Sequence, residues 1–288
     1  MLLLLALLQQ IDSTVPVDRS QRLEVHAFAG EIAVTTWDRN AVRVQADPTR
    51  RAGVEIDRNA TTLTVRTSGR RGPPSDVELR ITAPAWMPLD LSGVNTEITV
   101  TGSRAAISAE TVQGDVSVSG GAGLVSLRSV QGGVTLTGAK GRLEVHSVNA
   151  DVEVSASSGE VTAETVNGSV ALTRVDATSV TATSLNGDVE YDGPIRNNGR
   201  YALSTHNGAI TLTVAEGTNA SVSASTFNGE FISEFPVTLS ESRKGKRFGF
   251  TLGSGSAQVT LESFQGSIEL VRPGSSRGAR EDHDHDEE

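Results

Sequence analysis

Apolar and polar positions repeat with a long period between residues 94 and 229 of this chain. A short phrase recurs there, usually an apolar residue, then Asn or Gln, then Gly; it begins at Val94, Val112, Val130, Val148, Val166, Leu185, His206 and Phe227. Successive starts are 18, 18, 18, 18, 19, 21 and 21 residues apart. Such a repeat is typical of a solenoid, in which each copy is one structural unit.

Each copy has room for two short strands. With the first residue of the phrase as position 0, apolar residues recur at positions 0, 4, 6, 13 and 15, as in Val112, Val116, Val118, Val125 and Leu127. A period of two predicts β-strands, and Gly- and Ser-rich connections separate them. This pattern places position 0 with the other apolar positions of the core.

Two arrangements compete for this pattern. An Asn-Gly pair between alternating strands is ordinarily a hairpin signal and would give an antiparallel meander. Residues that flank a two-residue hairpin face the same side, but position 0 is apolar while position 3 is mostly Asp, Gly or Ser. We therefore interpret the phrase as a corner where Gly supplies a positive φ. The predicted fold is an all-β, single-stranded parallel β-solenoid (β-helix) of about 18 residues per coil, right-handed by the general preference of parallel crossovers.

Stacked coils turn repeated positions into columns. Position 1 is always an amide: Asn95, Gln113, Gln131, Asn149, Asn167, Asn186, Asn207, Asn228 and Gln265. From the copy at Val112 onward, the residue before position 0 carries a hydroxyl: Thr111, Ser129, Ser147, Thr165, Ser184, Thr205, Thr226 and Ser263. Stacked amides donate to one neighbour and accept from the other, so we expect an amide ladder and a second ladder of hydroxyls.

The pattern divides the chain into five parts. Residues 1–10 resemble an export signal, because Leu2–Leu8 is apolar but too short to span a bilayer. This apolar run lacks a basic region before it and a clean cleavage site after it, which fits a first residue that lies downstream of the true start of the protein. Irregular β coils follow at 11–93, regular solenoid repeats at 94–235, an insertion with a C-terminal capping coil at 236–272, and a disordered acidic tail at 273–288.

Composition narrows the classes of function. The net charge of −10 argues against nucleic acid as a partner, which would require clustered Lys and Arg. The chain has no cysteine, which excludes disulfides and Cys-type zinc sites. No other stretch is long and apolar enough to predict a transmembrane helix.

Few residues stand out as candidates for chemistry. Position 3 carries acids at Glu97, Asp115, Asp151 and Asp188, which we interpret as a solvated stripe; the alternative is a carboxylate pair at Glu97 and Asp115. His146 lies in a charged row, Glu110, Arg128, His146 and Glu164, and is interpreted as a surface residue rather than a base.

The least regular part of the repeats is the most promising place for a ligand. His206 stands at an apolar position and is expected to be partly buried, and Tyr191 and Tyr201 flank the loop 194–199. The other irregular segments are the basic stretch Arg243–Arg247 and the loops before Val94. His283 and His285 lie in the acidic tail. We assign no catalytic, cofactor-binding or metal-binding residue.

The Leu-x-Val and Gly-x-Ile-x-Val opening at Leu23–Val34, with the later Val-Asn-Gly-x-Val-x-Val phrases, resembles the bacterial "putative adhesin" families of exported β-strand-repeat proteins of unknown function. The resemblance covers Leu23–Leu270 and implies an exported or envelope-associated β-solenoid. It brings no catalytic residues, and this chain departs from members that carry a membrane helix.

The leading hypothesis is a non-enzymatic protein, periplasmic, on the cell surface or secreted, that binds a surface carbohydrate or an envelope protein through its flat faces or irregular loops. One alternative is a polysaccharide-degrading enzyme. Another is a structural envelope protein that self-assembles through its ends. The sequence leaves the ligand, the oligomeric state and the mode of attachment open.

Overall fold

A computed structural model describes residues 11–46, 52–69, 76–236 and 246–274. Within these ranges the chain forms strands joined by turns and bends, and it has no helix. No helix long and apolar enough to cross a membrane occurs in this part of the chain. Several predicted features lie outside the described residues: the export signal, most of the two irregular loops before Val94, which we place at 47–53 and 67–75, most of the basic stretch 243–247 and nearly all of the acidic tail.

The first seven strands form the irregular beginning of the solenoid. They are β1 (Ile11–Pro16), β2 (Arg22–Trp37), β3 (Ala41–Ala46), β4 (Ala52–Arg58), β5 (Thr62–Gly69), β6 (Val77–Pro84) and β7 (Leu89–Ser103). The long strand β2 pairs in parallel with β5, β6 and β7. The shorter strands add antiparallel pairs: β1 with β3, β3 with β6, and β4 with β5.

Twelve strands then form the regular coils. They are β8 (Ile107–Thr111), β9 (Val116–Gly120), β10 (Ala122–Ser129), β11 (Val134–Thr137), β12 (Lys140–His146), β13 (Val152–Ser155), β14 (Ser158–Asn167), β15 (Val170–Thr173), β16 (Asp176–Asn186), β17 (Val189–Asp192), β18 (Arg200–Asn207) and β19 (Ile210–Thr213). Five strands complete the array: β20 (Ala220–Thr226), β21 (Phe231–Ser233), β22 (Lys246–Leu252), β23 (Ala257–Gln265) and β24 (Ile268–Val271).

Consecutive copies stack in parallel and in register. Val134 on β11 pairs with Val152 on β13, and Leu143 on β12 pairs with Val161 on β14; each partner is 18 residues further along the chain. Even- and odd-numbered strands of the regular part thus form two parallel ladders, joined by corners. The predicted all-β, solenoid-like, mostly parallel architecture is confirmed, and the hairpin meander is not formed.

The core is a narrow column of small apolar side chains. Buried and exposed residues alternate along the strands. The apolar residues at positions 4, 6, 13 and 15 of the regular copies are buried; in the copy that begins at Val130 they are Val134, Leu136, Leu143 and Val145. Parallel strands in register place these residues above one another, so each coil covers the apolar surface of the next.

The corners require glycine for a reason that the sequence pattern did not indicate. A Cβ atom on Gly132 would lie 2.0 Å from the carbonyl oxygen of Gly114 in the coil before it, and one on Gly187 would lie 2.0 Å from that of Gly168. Of these four glycines only Gly114 has a φ in the left-handed region, at +126°. Close backbone approach between coils, rather than a positive φ, therefore explains most of the corner glycines.

The last coils do not stack in sequence order. Strand β23 lies between β18 and β20, because Val259 pairs with Tyr201 on one side and with Val222 on the other. Strand β22 runs antiparallel to β20 and covers its other edge. The C-terminal phrase at Phe264 was predicted to cap the array. In the structure it is instead an internal coil, and β22 forms the cap over β20.

Candidate functional site

One row of apolar side chains lies on the outside of the solenoid. We call it the corner stripe; in spatial order it consists of Phe28, Val94, Val112, Val130, Val148, Val166, Leu185, His206, Phe264 and Phe227. The large apolar members are 37–59% exposed, except for half-buried Val130. The stripe contains position 0 of every copy, so the assignment of position 0 to the core was wrong.

The reason lies in the residue before position 0, whose hydroxyl points inward. Thr111 donates a hydrogen bond of 2.9 Å to the carbonyl of Thr96, and Thr165 donates one of 2.8 Å to that of Ala150. All eight hydroxyls in this column are buried and bond backbone carbonyls in this way. The predicted column exists, but the hydroxyls satisfy corner carbonyls instead of bonding one another. Since side chains alternate along a strand, position 0 must face outward.

Three rings continue the stripe at its C-terminal end. The His206 and Phe264 ring centroids are 4.6 Å apart with planes 3° from parallel, and those of Phe264 and Phe227 are 5.0 Å apart with planes 1° from parallel. His206 is exposed, which corrects the expectation that it is partly buried. Because the rings cover one another's faces, they present mainly their edges to solvent.

A polar row runs beside the corner stripe, two residues earlier on each strand. Its members, matched by strand register, are Glu110, Arg128, His146, Glu164, Thr183, Ser204, Glu262, Ser225 and Arg247. His146 Nδ1 lies 3.4 Å from a carboxylate oxygen of Glu164, and the hydroxyls of Thr183 and Ser204 are 3.1 Å apart. Two residues of strand separate the row from the stripe by roughly 7 Å.

Stripe and polar row enclose a long depression, which we call the corner groove. Its larger part, of about 500 Å³, reaches from Thr183 and Leu185 to Phe227 and Arg247. Its smaller part, of about 420 Å³, reaches from Arg128 to Leu185. The two parts share Thr183, Ser184 and Leu185, so the groove continues along the coil axis.

The amide column lies on the other side of the stripe and is exposed. Asn167 donates to Asn149 over 2.9 Å and accepts from Asn186 over 2.9 Å, and Asn207 donates to Asn186 over 2.7 Å. Asn149 donates to the carbonyl of Val130 instead of continuing the column. The predicted amide ladder is thus present from Asn149 to Asn207, and Gln113 donates to Gln131 over 2.8 Å in a separate rung of the same column.

The position-3 carboxylates stabilise the backbone of the next coil. Asp115 accepts a hydrogen bond from Gly133 N over 2.8 Å, Asp151 one from Ser169 N over 2.7 Å, and Asp188 one from Ala209 N over 2.8 Å. Glu97 and Asp115 do occupy adjacent coils, next to the Ile98–Val116 pair. The described residues contain no group of three or more His, Cys, Asp or Glu placed to hold a metal ion. His283 and His285 lie outside them.

The tyrosines predicted beside a ligand patch belong to the core. Tyr191 and Tyr201 are buried, with ring centroids 5.5 Å apart in an edge contact. The Tyr201 hydroxyl donates to the carbonyl of Ala177 over 2.7 Å and accepts from the backbone N–H of Arg196 over 2.8 Å. Burial raises the pKa of both phenols, so they remain neutral donors. Of the predicted patch, only His206 reaches the groove.

Arg196 fastens the loop between these tyrosines to the coil before it. Its Nε and one terminal nitrogen donate to the two carboxylate oxygens of Asp176 over 2.6 and 2.5 Å. This bidentate pair lowers the pKa of Asp176 below its ordinary value, chiefly through the hydrogen bonds.

Comparison with known proteins identifies related sequences and similar folds. The sequence profile of the family described as Toastrack DUF4097 matches residues 20–271. A "putative adhesin" from Bacteroides fragilis is 13% identical, with a TM-score of 0.42, over 91% of this chain and 97% of that chain. A "putative adhesin" from Parabacteroides distasonis is 10% identical, with a TM-score of 0.45, over 91% and 97%.

A third solved structure, described as a "putative lipid binding protein" from Parabacteroides distasonis, is 10% identical, with a TM-score of 0.30, over 91% of this chain and 96% of that chain. None of the curated proteins compared with the chain matches it.

Proposed function

The chain belongs to the Toastrack DUF4097 family, and from that premise we propose that it is a non-enzymatic, exported, adhesin-like protein of the cell envelope. It binds a surface carbohydrate or an envelope protein along the corner groove. The apolar run Leu2–Leu8 supports export, and the resemblance at Leu23–Leu270 supports the envelope as its destination.

The observation that carries this proposal is the exposure of the corner stripe. Large apolar side chains are 37–59% exposed in one continuous row, although the coil has inward positions for such residues. Contiguous exposed apolar surface bordered by polar residues marks binding sites on soluble proteins. A row that extends along the coil axis suits a long ligand contacted from the side.

The scaffold that we propose is a right-handed, single-stranded solenoid of about 18 residues per coil. The register offset of 18 between Val134 and Val152 supports the coil length. Handedness follows from the general preference of parallel crossovers.

Support for a non-enzymatic role comes from the position-3 acids. Asp115, Asp151 and Asp188 each accept a hydrogen bond from a backbone N–H of the next coil, which gives these carboxylates a role in stabilising the fold. A polysaccharide-degrading activity based on Glu97 and Asp115 would appear as release of reducing ends or unsaturated sugars. Its loss in Glu97→Gln and Asp115→Asn would overturn the non-enzymatic proposal.

The binding test uses immobilised full-length protein and two envelope fractions, one of polysaccharide and one of protein. The variant Val148→Ser with Val166→Ser should reduce retention, because it removes apolar surface from the middle of the stripe. Leu124→Ser is the matched control, since Leu124 is 49% exposed but lies outside the stripe. Equal retention by both variants, or no retention by the wild type from either fraction, would contradict the proposal.

A further inference from the structure

We propose that the C-terminal part of the corner groove, from Leu185 to Phe227, binds one chain of an uncharged linear polysaccharide, with the sugar chain parallel to the coil axis. We call this part the aromatic subsite. The inference rests on the proposed function and specifies both the place and the ligand class.

The dimensions of the aromatic subsite select a linear ligand. Its apolar wall comprises Leu185, His206, Phe264 and Phe227, one residue from each of four stacked coils. Three steps of about 4.8 Å make it roughly 14 Å long, whereas the polar row stands only roughly 7 Å away. A narrow trough of this shape accepts a single extended polymer chain.

The opposite wall supplies the polar chemistry that a polyol requires. Ser225 presents a hydroxyl that donates and accepts, Thr183 and Ser204 bond each other over 3.1 Å and keep one donor and further acceptor sites between them, Glu262 accepts, and Arg247 donates. Sugar hydroxyls also donate and accept, so each of these groups can find a partner. The floor hydroxyls add little, because Ser184, Thr205, Thr226 and Ser263 already donate to backbone carbonyls.

The aromatic wall contacts sugars through its edges. Stacking at 4.6 and 5.0 Å occupies the facing surfaces of the three rings, so C–H groups line the groove. Ring edges carry partial positive charge and make weak C–H···O contacts with oxygen atoms. A sugar chain can therefore place its ring oxygens against the edge of Phe264 and its hydroxyls toward Glu262.

Other linear ligands fit less well. An acyl chain would remove water from Glu262 and Arg247 without giving them hydrogen bonds, which is unfavourable. Among the described residues that line the subsite, a polyanionic chain could pair with the cation of Arg247 alone, and Glu262 and the net charge of −10 oppose such a ligand. An extended peptide is usually bound by backbone pairing at a sheet edge, but this groove crosses strands whose backbone groups already pair between coils.

The test titrates full-length protein with uncharged oligosaccharides of about four to eight units, which span the roughly 14 Å subsite. Oligomers of glucose, N-acetylglucosamine and mannose serve as probes, with a uronic acid oligomer and an apolar peptide for comparison. Calorimetry gives the affinity, and NMR signals of the His206 imidazole give the location. We expect binding of at least one uncharged series, with the His206 signals shifting.

Variants locate the ligand. Phe264→Ala should weaken binding by about tenfold, because aromatic contacts dominate such sites. Phe28→Ala, a substitution of a similarly exposed ring at the far end of the same stripe, should leave the affinity unchanged. Glu262→Gln changes only an exposed carboxylate and should weaken binding without altering thermal unfolding, which covers the case that Phe264→Ala fails to fold.

The outcomes separate this inference from the proposed function. Absence of binding to every uncharged series, or tighter binding of the peptide or the uronic acid oligomer, overturns the ligand class. Equal loss in Phe28→Ala and Phe264→Ala overturns the location. In each case the proposed function stands if an envelope fraction is still retained through Val148 and Val166, and it fails separately if nothing is retained.

Discussion

At the scale of single residues, the inward hydroxyls explain how backbone carbonyls at a corner can be buried and still accept hydrogen bonds. Each of the eight in this column lies in the interior and donates to a carbonyl that the parallel ladders leave without a partner. Buried carbonyls without donors would destabilise every corner. Thr96 lies outside this column and differs from it: among the described residues its hydroxyl oxygen is the one buried side-chain polar atom without a hydrogen-bond partner.

Thr96→Val should therefore stabilise the protein. The substitution keeps the shape and removes a buried hydroxyl without a partner, so the free energy of unfolding should rise by about 1 kcal/mol. Thr111→Val is the control with the opposite sign, since it removes the donor to the carbonyls of Thr96 and Gln113. Denaturant unfolding of both variants measures the difference, and equal midpoints would contradict the assignment.

The Asp176–Arg196 pair gives the loop that it fastens a defined pH response. Arg196 lowers the pKa of Asp176, so the pair stabilises the folded loop above the ordinary pKa of 3.8 and loses that effect as pH falls through the lower folded value. Exchange of the Arg196 amide should accelerate below about pH 4 relative to a distant core amide. Asp176→Asn should abolish this acceleration of Arg196 amide exchange at low pH. If the pH dependence of the exchange rate is unchanged in that variant, another group is responsible for it.

At the scale of elements, columns of like side chains hold neighbouring coils in register. The amides from Asn149 to Asn207 link four coils outside the core, and the carboxylates of Asp115, Asp151 and Asp188 link backbone to side chain along the next column. A shift by one residue would break both sets and turn the apolar residues of the core outward.

Asn167→Leu tests the amide column. Asn167 donates to Asn149 and accepts from Asn186, so the substitution removes two exposed hydrogen bonds and should lower the free energy of unfolding by about 1 kcal/mol. Glu190→Leu, at an exposed position of β17, is the control for adding surface leucine. Thermal unfolding compares them, and a smaller effect of Asn167→Leu than of the control would mean that the column does not stabilise the coils.

Much of this architecture could be predicted from spacing alone, because the repeat of 18 residues between Val112 and Val166 forces equivalent residues into columns. The stripe was missed because Val112 was assigned inward by its hydrophobicity. The parity of Val125, Leu127 and Ser129 on the same strand already placed Ser129 inside and Val130 outside. Tyr191 stands at position 6 of the copy that begins at Leu185, and Tyr201 stands five residues before His206, as Val125 does before Val130, so the same spacing already placed both rings in the core. The backbone carbonyls that accept from their hydroxyls could not be predicted, since they belong to a neighbouring coil.

At the scale of the whole molecule, antiparallel strands cover one strand edge at each end. Strand β1 pairs with β3 at one end, and β22 covers β20 at the other. Phe248 on β22 is buried against Phe231, with ring centroids 5.0 Å apart. Unpaired edges of parallel arrays recruit other chains, so these strands protect the edges that they cover.

Phe248→Asp should open the C-terminal end. A carboxylate in place of the buried ring should detach β22 and expose the edge of β20, so the variant should associate with increasing concentration. Light scattering over a concentration series measures this. Phe250→Asp provides a graded comparison, because Phe250 on the same strand is only partly buried. A monomeric Phe248→Asp protein would show that β22 does not protect the edge.

The inserted position of β23 governs the time at which this end can fold. Coils up to Thr213 can each stack on the preceding one as the chain emerges, but β20 has parallel pairing only with β23, which lies later in the chain. Residues 220–233 must therefore wait for residues 257–271. Alternatively, they stack temporarily on the coil that contains His206, in the place that β23 later takes. We therefore expect the stack of His206, Phe264 and Phe227 to be completed last, and we expect premature stacking of residues 220–233 to act as a kinetic trap.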